Sequence, residues 1–272
     1  MGHVTLDHFG DATRPGGTAL YAAVAAQRLG LSAGILTSHG ADFPLDAVPP
    51  QIEVVTLEAP ATTVFEHRHR EARRAMRVTS AARPLGPAEV PEDWRDARLV
   101  MLAPVVDEVD PALVETFADA TVAASAQGWL RRLEATGAVT TRRWNPPRGL
   151  LERLQALFVS AEDVRGQESQ LTEWLQRLPL AAVTAGKNGA LLYVNGERYD
   201  VRPRPARMVD PTGAGDVFAA AFMVRYHLEG DPWEAAAAAT CAASLSVEGE
   251  GWSTVPERPA LDAALAAYRA AL

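Results

Sequence analysis

The chain has 272 residues, 48% of them hydrophobic and 22% charged, so it is long enough for a large buried core and too apolar for a disordered chain. Its 26 lysines and arginines are outnumbered by 34 acidic residues, a formal charge of −8, which leaves no basic surplus for a nucleic-acid groove or an anionic membrane face. Cys241 is the only cysteine, excluding an intrachain disulfide and a cysteine-rich metal centre and making the cytoplasm the expected location. No apolar run reaches the roughly 18–20 residues of a membrane span. The richest, Ala235 to Val247, is Ala-dominated and interrupted by Thr240 and Ser244. No basic segment followed by an apolar one opens the chain, so no secretory signal is expected.

In chain order, the Ala/Leu-rich stretch Thr18 to Leu29 predicts a helix ended by Gly30. Short, nearly all-apolar runs at 33–37, 99–103, 157–160 and 181–184 predict strands covered on both faces, as in a parallel sheet. Thr62 to Arg68 reads as a more polar strand, with Ala75 to Val78 as its antiparallel partner across a charged turn. Glu168 to Leu178 places Leu171, Trp174, Leu175 and Leu178 on one helical stripe before Pro179. Residues 190–199 alternate around Asn195-Gly196, a strong hairpin signal. Helices are expected from Val217 to Leu228 and from Trp233 to Val247, the latter a closely packed core helix. The alternation predicts one α/β domain over 1–272 with a doubly wound, mostly parallel sheet. A small β-flap lid is expected at about 60–80, joined by about 8–15.

The chemistry concentrates in Asp210-Pro211-Thr212-Gly213-Ala214-Gly215-Asp216, directly before a helix. A small-residue turn feeding a helix start presents unpaired amides and the positive end of the helix dipole, a setting that binds phosphates. Gly213 and Gly215 admit close approach of a ligand to the backbone. Asp216 either caps the helix or takes a proton from a hydroxyl that attacks the bound phosphate.

This segment, with the small-residue continuation Phe218 to Phe222, resembles the C-terminal signature of the ribokinase-like (PfkB) carbohydrate kinases. Pro15-Gly16-Gly17-Thr18 resembles that family's N-terminal Gly-Gly element, and Val183-Thr184-Ala185-Gly186-Lys187-Asn188-Gly189 its nucleotide-side Thr-x-Gly-x-x-Gly segment. The order and separation of the three match over essentially the whole chain. The resemblance implies an ATP-dependent kinase acting on an alcohol of a sugar or cyclitol, with a nucleoside as the alternative acceptor. It also implies Mg²⁺ with the nucleotide and, in many members, activation by K⁺. Asp216 then matches the catalytic base, and the amides of Gly213, Ala214 and Gly215 the anion hole. Asp7, ending the first strand, matches the acceptor of a substrate hydroxyl, with Gly16 and Gly17 beside it. Thr184, Gly186 and Gly189 match nucleotide contacts, and 240–251 the stretch over the adenine.

A narrower likeness, to the subgroup with plant myo-inositol kinase, rests on Ala61 to Phe65, Ser125-Ala126-Gln127-Gly128-Trp129-Leu130-Arg131 and Val209 to Thr212. It adds Thr63, Phe65, Gln127 and Arg131 to the expected substrate contacts, although Arg131 also reads as a solvent-facing helix residue beside Arg132. Three departures from the family pattern stand out. No Asn follows Gly16-Gly17. Ser160-Ala161-Glu162-Asp163 stands where Asn-x-x-Glu orders metal-bound water, leaving Ser160 on the nucleotide side and Asp163 as the magnesium contact through water. Most of the family's first strand would lie before Met1. These departures motivate a second class of function, a nucleotide- or sugar-binding regulator without catalysis.

The remaining candidates take plainer readings. His67 and His69 share a strand face, where a solvated lid face outweighs a metal pair. Arg68, Arg70, Arg73 and Arg74 form the basic cluster, a soluble turn or a contact to a phosphorylated substrate. Gly186-Lys187 fails as a P-loop, since Ala181 and Asn188 stand where it needs Gly and Ser or Thr. Trp129, Trp144 and Trp174 are expected in the core or at its rim. The expected partner is a small polyol, and the lid strands offer a surface for a homodimer.

Overall fold

The computed structural model describes residues 1–70 and 73–272, with the side chains of 68–75 outside the description. The chain begins with a hairpin, β1 (Thr5–Phe9) and β2 (Ala12–Gly16), and passes directly into α1 (Thr18–Arg28). Two parallel strands follow, β3 (Ala33–His39) and β4 (Ile52–Glu58), and then the antiparallel pair β5 (Thr63–Arg70) and β6 (Arg73–Ser80). The next segment holds β7 (Leu99–Leu102), β8 (Thr121–Ser125) and a short hairpin, β9 (Arg131–Leu133) with β10 (Val139–Thr141). Then come α2 (Arg148–Arg153), β11 (Ala156–Ser160), α3 (Glu168–Leu175), β12 (Leu180–Thr184), β13 (Ala190–Val194) and β14 (Glu197–Val201). Three helices close the chain, α4 (Ala214–Glu229), α5 (Pro232–Ser246) and α6 (Arg258–Ala270).

The central sheet runs β14-β13-β12-β11-β8-β7, parallel from β7 to β12 and antiparallel at the β13–β14 hairpin. Asn195 (φ 50°) and Gly196 (φ 84°) both take the left-handed conformation of a tight two-residue hairpin turn, as the Asn-Gly signal requires. Residues 1–2 lie in the gap between β7 and β3. Met1 O accepts from Ala103 N at 2.8 Å, and Gly2 N donates to Leu36 O at 3.1 Å. The β3–β4 pair is thereby tied to the six-stranded sheet through backbone hydrogen bonds.

Apolar side chains fill both faces of this sheet. One face packs α1, α4, α5 and α6 around Leu20, Val24, Phe158, Phe222 and Leu265. Alanine predominates on α5, where Ala235, Ala238, Ala239 and Ala242 are fully buried and let α4 and α5 lie close together. The opposite face is covered by α2, α3 and irregular segments over Leu102, Phe117, Leu157 and the indoles of Trp129, Trp144 and Trp174. Trp129 and Trp144 stack at 5.3 Å between centroids, Trp174 meets Trp144 edge-on, and Trp129 Nε1 donates to Val109 O. All three tryptophans belong to the core. Helix α3 stops at Leu175, three residues before the expected end, and Leu178 reaches the core from the turn that follows.

A separate four-stranded sheet, β2-β1-β5-β6, forms the lid. Its Val64/Phe65 bulge shifts the β5–β6 register. Its β6 edge is met by the β9–β10 hairpin, where Val78 N donates to Gly137 O at 2.8 Å. Asp7 lies in the middle of a lid strand, directly opposite Arg14, and not at the end of the first strand as expected. The physical reason is that residues 1–4 already occupy the central-sheet position, so the chain has crossed into the lid by Thr5.

Candidate active site

The turn before α4 has the geometry its glycines predict. Gly213 is left-handed (φ 77°) at the helix N-cap, and Val217 N donates back to its carbonyl at 2.9 Å. One expected amide is already used, because Ala214 N turns onto Pro211 O at 3.3 Å. Among the described residues, the N–H groups of Gly213, Gly215 and Asp216 have no backbone partner, so Asp216's own amide, and not that of Ala214, stands with the two glycine amides. Gly215 is exposed and Asp216 half-buried, so this helix head faces outward.

Burial pushes the Asp216 carboxyl up to about 7; the Thr18 hydroxyl and the Arg131 guanidinium pull it down, and the charges of Asp163 and Asp7 push it further up. Thr18, Arg131, Asp163 and Asp7 come from four places in the sequence and act on this one carboxyl. Thr18 is only 1% exposed, and its hydroxyl makes no well-formed hydrogen bond among the described residues. Asp163 is also raised, chiefly by burial and by Glu162, with Arg131 opposing. Arg131 therefore acts on both carboxyls, while its guanidinium is anchored on Val105 O at 3.2 Å. It lies on β9, so the expected alternative of a solvent-facing helix residue does not hold.

Asp7 is 6% exposed and accepts from Thr5 Oγ1 at 3.2 Å. Gly16 lies against it, with space for a Cβ only 2.3 Å from Asp7 Oδ2. Gly17 (φ 100°) runs against the backbone of His3 and Val4 as it opens α1. The His67 side chain is 5% exposed, 3.6 Å from Asp7 Oδ1, and stacked on Phe9 at 4.5 Å. The expected solvated face for His67 is thus corrected: packing between an aromatic ring and a carboxylate buries it. The side chains of Arg68, His69, Arg70, Arg73 and Arg74, and with them the expected basic cluster, lie outside the described residues.

Two expected substrate contacts occupy other roles. Thr63 is fully buried, hydrogen-bonded to His3 Nδ1 at 2.7 Å and accepting from Ala82 N, so it pins the lid to its base. Phe65 is 4% exposed and packs with Val78 and Val105, which leaves Phe9 and His67 as the aromatic pair beside Asp7. Gln127 is half-buried in the turn after β8, where Gly128 presses against Pro104.

On the side expected to meet the nucleotide, Ser160 and Thr184 sit at matched ends of the parallel strands β11 and β12. Ser160 Oγ accepts from Glu162 N at 3.2 Å, and Thr184 Oγ1 donates to Val159 O. Gly186 and Gly189 are left-handed (φ 55° and 87°), and a Cβ at Gly189 would meet Val201 O at 2.2 Å. Among the described residues no group of three or more His, Cys, Asp or Glu forms a metal cage. The half-buried Asp163, whose burial raises its pKa, still fits a divalent cation carried on donor phosphates, with Ser160 beside it. Sequence reading missed Phe9, Arg14, Thr18 and Tyr21. Their signals were position alone: two in the hairpin that carries Asp7, two at the start of α1 directly after Gly17.

Comparison with known proteins matches residues 151–258 to the model of the pfkB family of carbohydrate kinases. The cytidine kinase of Thermococcus kodakarensis is 27% identical over 247 residues, 83% of this chain and 87% of that protein. The inositol 3-kinase of Oryza sativa subsp. japonica is 31% identical over 214 residues, 73% of this chain but only 53% of that protein. A pyrophosphate-dependent kinase in the ribokinase family, solved with a pyrophosphate analog and myo-inositol, has the same fold with a TM-score of 0.80 at 22% identity, covering 96% of this chain and 98% of that one. Thermotoga maritima ribokinase superposes with a TM-score of 0.72 at 20% identity, covering 97% and 96%. The fold is therefore the ribokinase-like α/β fold. The segment that matches the PfkB carbohydrate kinase family, residues 151–258, holds the Asp210–Asp216 turn and the β11–β12 strand pair on which Ser160 and Thr184 lie.

Proposed function

We propose that the protein transfers a phosphoryl group from ATP to an alcohol of a sugar or cyclitol. The observation that carries this reading is the half-buried Asp216 carboxyl at the head of α4, its pKa raised to about 7, beside three amides free to bind an anion. A carboxylate next to an anion site is unfavourable for binding alone, but a general base must stand there if a hydroxyl is to attack the bound phosphate.

In this reading Asp7 accepts a hydrogen bond from the acceptor alcohol under the lid. The attacking oxygen forms its bond to the γ-phosphorus as its proton passes to Asp216, and the bond to the bridging oxygen breaks to release ADP. The amides of Gly213, Gly215 and Asp216 stabilise charge on the transferring group, and Arg131 adds a cation on the same side. Thr184, Gly186 and Gly189 line the donor side. Ser160 and Asp163 would hold Mg²⁺ through its water shell, and that ion would supply charge neutralisation on the donor phosphates. Cyclitols are favoured over nucleosides because, among the described residues, the aromatic pair beside Asp7 is stacked on itself, Phe9 on His67, and presents no open ring for a base.

Pyrophosphate is the rival donor, since a pyrophosphate-dependent inositol kinase shares this fold over nearly its full length. The test is a donor-by-acceptor panel: ATP or pyrophosphate, with Mg²⁺, against sugars, inositols and nucleosides. Phosphorylation of an inositol or sugar supports the proposal. Tight ligand binding without transfer to any acceptor supports the regulator and overturns it.

A further inference from the structure

We infer that Arg14 is a positioning residue that fastens the lid to the anion-binding turn and supplies a built-in cation there; the inference rests on the phosphotransfer reading above. Arg14 lies on lid strand β2, yet its guanidinium leaves the lid. One nitrogen is 3.3 Å from Asp210 Oδ2 and the other 2.9 Å from Glu250 Oε2. Asp210 is the first residue of the Asp210–Asp216 turn. Its Oδ1 accepts from Thr212 N at 2.9 Å, and its Oδ2 also accepts from Gly251 N at 3.1 Å. A single guanidinium thus spans three segments: the lid, the turn that carries the anion-binding amides, and the loop after α5.

The bond types favour arginine. A planar fork reaches two carboxylates at once, which a lysine point charge does not. Phe9 fixes the fork from below, its ring centroid 5.3 Å from the guanidinium carbon. Burial works against the Asp210 charge, but the amides of Thr212 and Gly251, with Arg14, hold its carboxyl below the usual range. Without Arg14 two carboxylates would face each other beside a site that must receive a polyanionic donor. Both carboxylates already hold the guanidinium, so this corner does not fit the K⁺ expected from the family resemblance.

The test compares wild type, Arg14→Met and Arg14→Lys in buffers of N-methylglucamine, potassium or guanidinium at low millimolar concentration. Arg14→Met is expected to lower kcat/KM for the donor about 10–100-fold, with the alcohol KM changed less than about 3-fold. Guanidinium should recover part of that loss in Arg14→Met and leave wild type unchanged, and Arg14→Lys should fall between. Wild type should turn over equally in potassium and N-methylglucamine. Unchanged donor kinetics in Arg14→Met, a loss confined to the alcohol KM, or a wild type that needs potassium would overturn the inference. If Arg14→Met fails to fold, Glu250→Gln removes the exposed end of the clamp and should raise the donor KM alone; no change would count against it. If wild type transfers phosphate to no acceptor, calorimetric binding of ATP and of pyrophosphate reads the clamp by itself. Weaker binding by Arg14→Met then supports it, and equal binding overturns it.

Discussion

A Cβ placed on Gly213 would stand 2.2 Å from Cδ1 of Tyr21, far closer than two carbon atoms can approach without a bond. The two residues come from α1 and from the turn before α4, and their contact sets how that turn is held. Tyr21 is 3% exposed, and burial together with Asp7, Asp210 and Asp216 raises its hydroxyl pKa, so the ring stays neutral among three carboxyls. Gly213→Ala therefore meets both a left-handed backbone and a ring that cannot retreat. The variant should lose activity by roughly 10²–10³-fold through misplaced amides. Its donor KM should rise as well, measured by steady-state kinetics on protein with a native circular dichroism spectrum.

Gly16→Ala should act on the other substrate. Its Cβ would fall 2.3 Å from Asp7 Oδ2, a side-chain end that can swing away. The fold survives such a shift, but Asp7 loses its place. The alcohol KM is expected to rise while the donor KM stays within about twofold, a split that initial-rate kinetics with each substrate varied in turn will show.

His67→Phe keeps the stack on Phe9 and removes the polar contact 3.6 Å from Asp7. At 3.6 Å this is a polar contact longer than a hydrogen bond, so its loss should cost no more than about 1 kcal/mol, or roughly 5-fold. That factor should appear in kcat/KM for the alcohol. Equal kcat/KM in wild type and variant would mean His67 is packing alone.

The site was legible where local chemistry marks it and obscure where the fold does. Gly213-Ala214-Gly215-Asp216 announces a helix head in four residues, and Asn195-Gly196 announces a turn in two, because the backbone conformations involved select those residue types. Arg14 carries no such mark. Its partners Asp210 and Glu250 are nearly two hundred or more positions away, and only the crossing of the first hairpin from the central sheet into the lid brings them together. His67 misled for a related reason: alternation in a polar strand shows which residues share a face, not whether Phe9 of another strand covers that face. The Ala214 amide, expected in the anion hole, instead donates to Pro211 O, a single hydrogen bond below the reach of sequence patterns.

The raised Asp216 pKa has a consequence for stability. A carboxyl that titrates near 7 in the folded chain and near 4 when unfolded binds its proton more tightly in the fold. Folding stability therefore falls as pH rises from about 4 to about 7 and is flat above, so far as this group decides it. Asp216→Asn removes the ionisation. It should melt above wild type at pH 8, by about 2–4 °C for each kcal/mol recovered, with the gap closing toward pH 4. Thermal melts of both proteins across that range check the sign.

Transfer itself is the most direct test of Asp216 as the base beside the anion-binding turn. With an acceptor from the panel at saturation, Asp216→Asn should bind the donor about as tightly as wild type and transfer phosphate about 10²–10⁴-fold more slowly. The wild-type rate should rise with pH to a plateau above about 7, the value to which burial raises that carboxyl. A variant that transfers at the wild-type rate, with the same pH profile, would contradict the account.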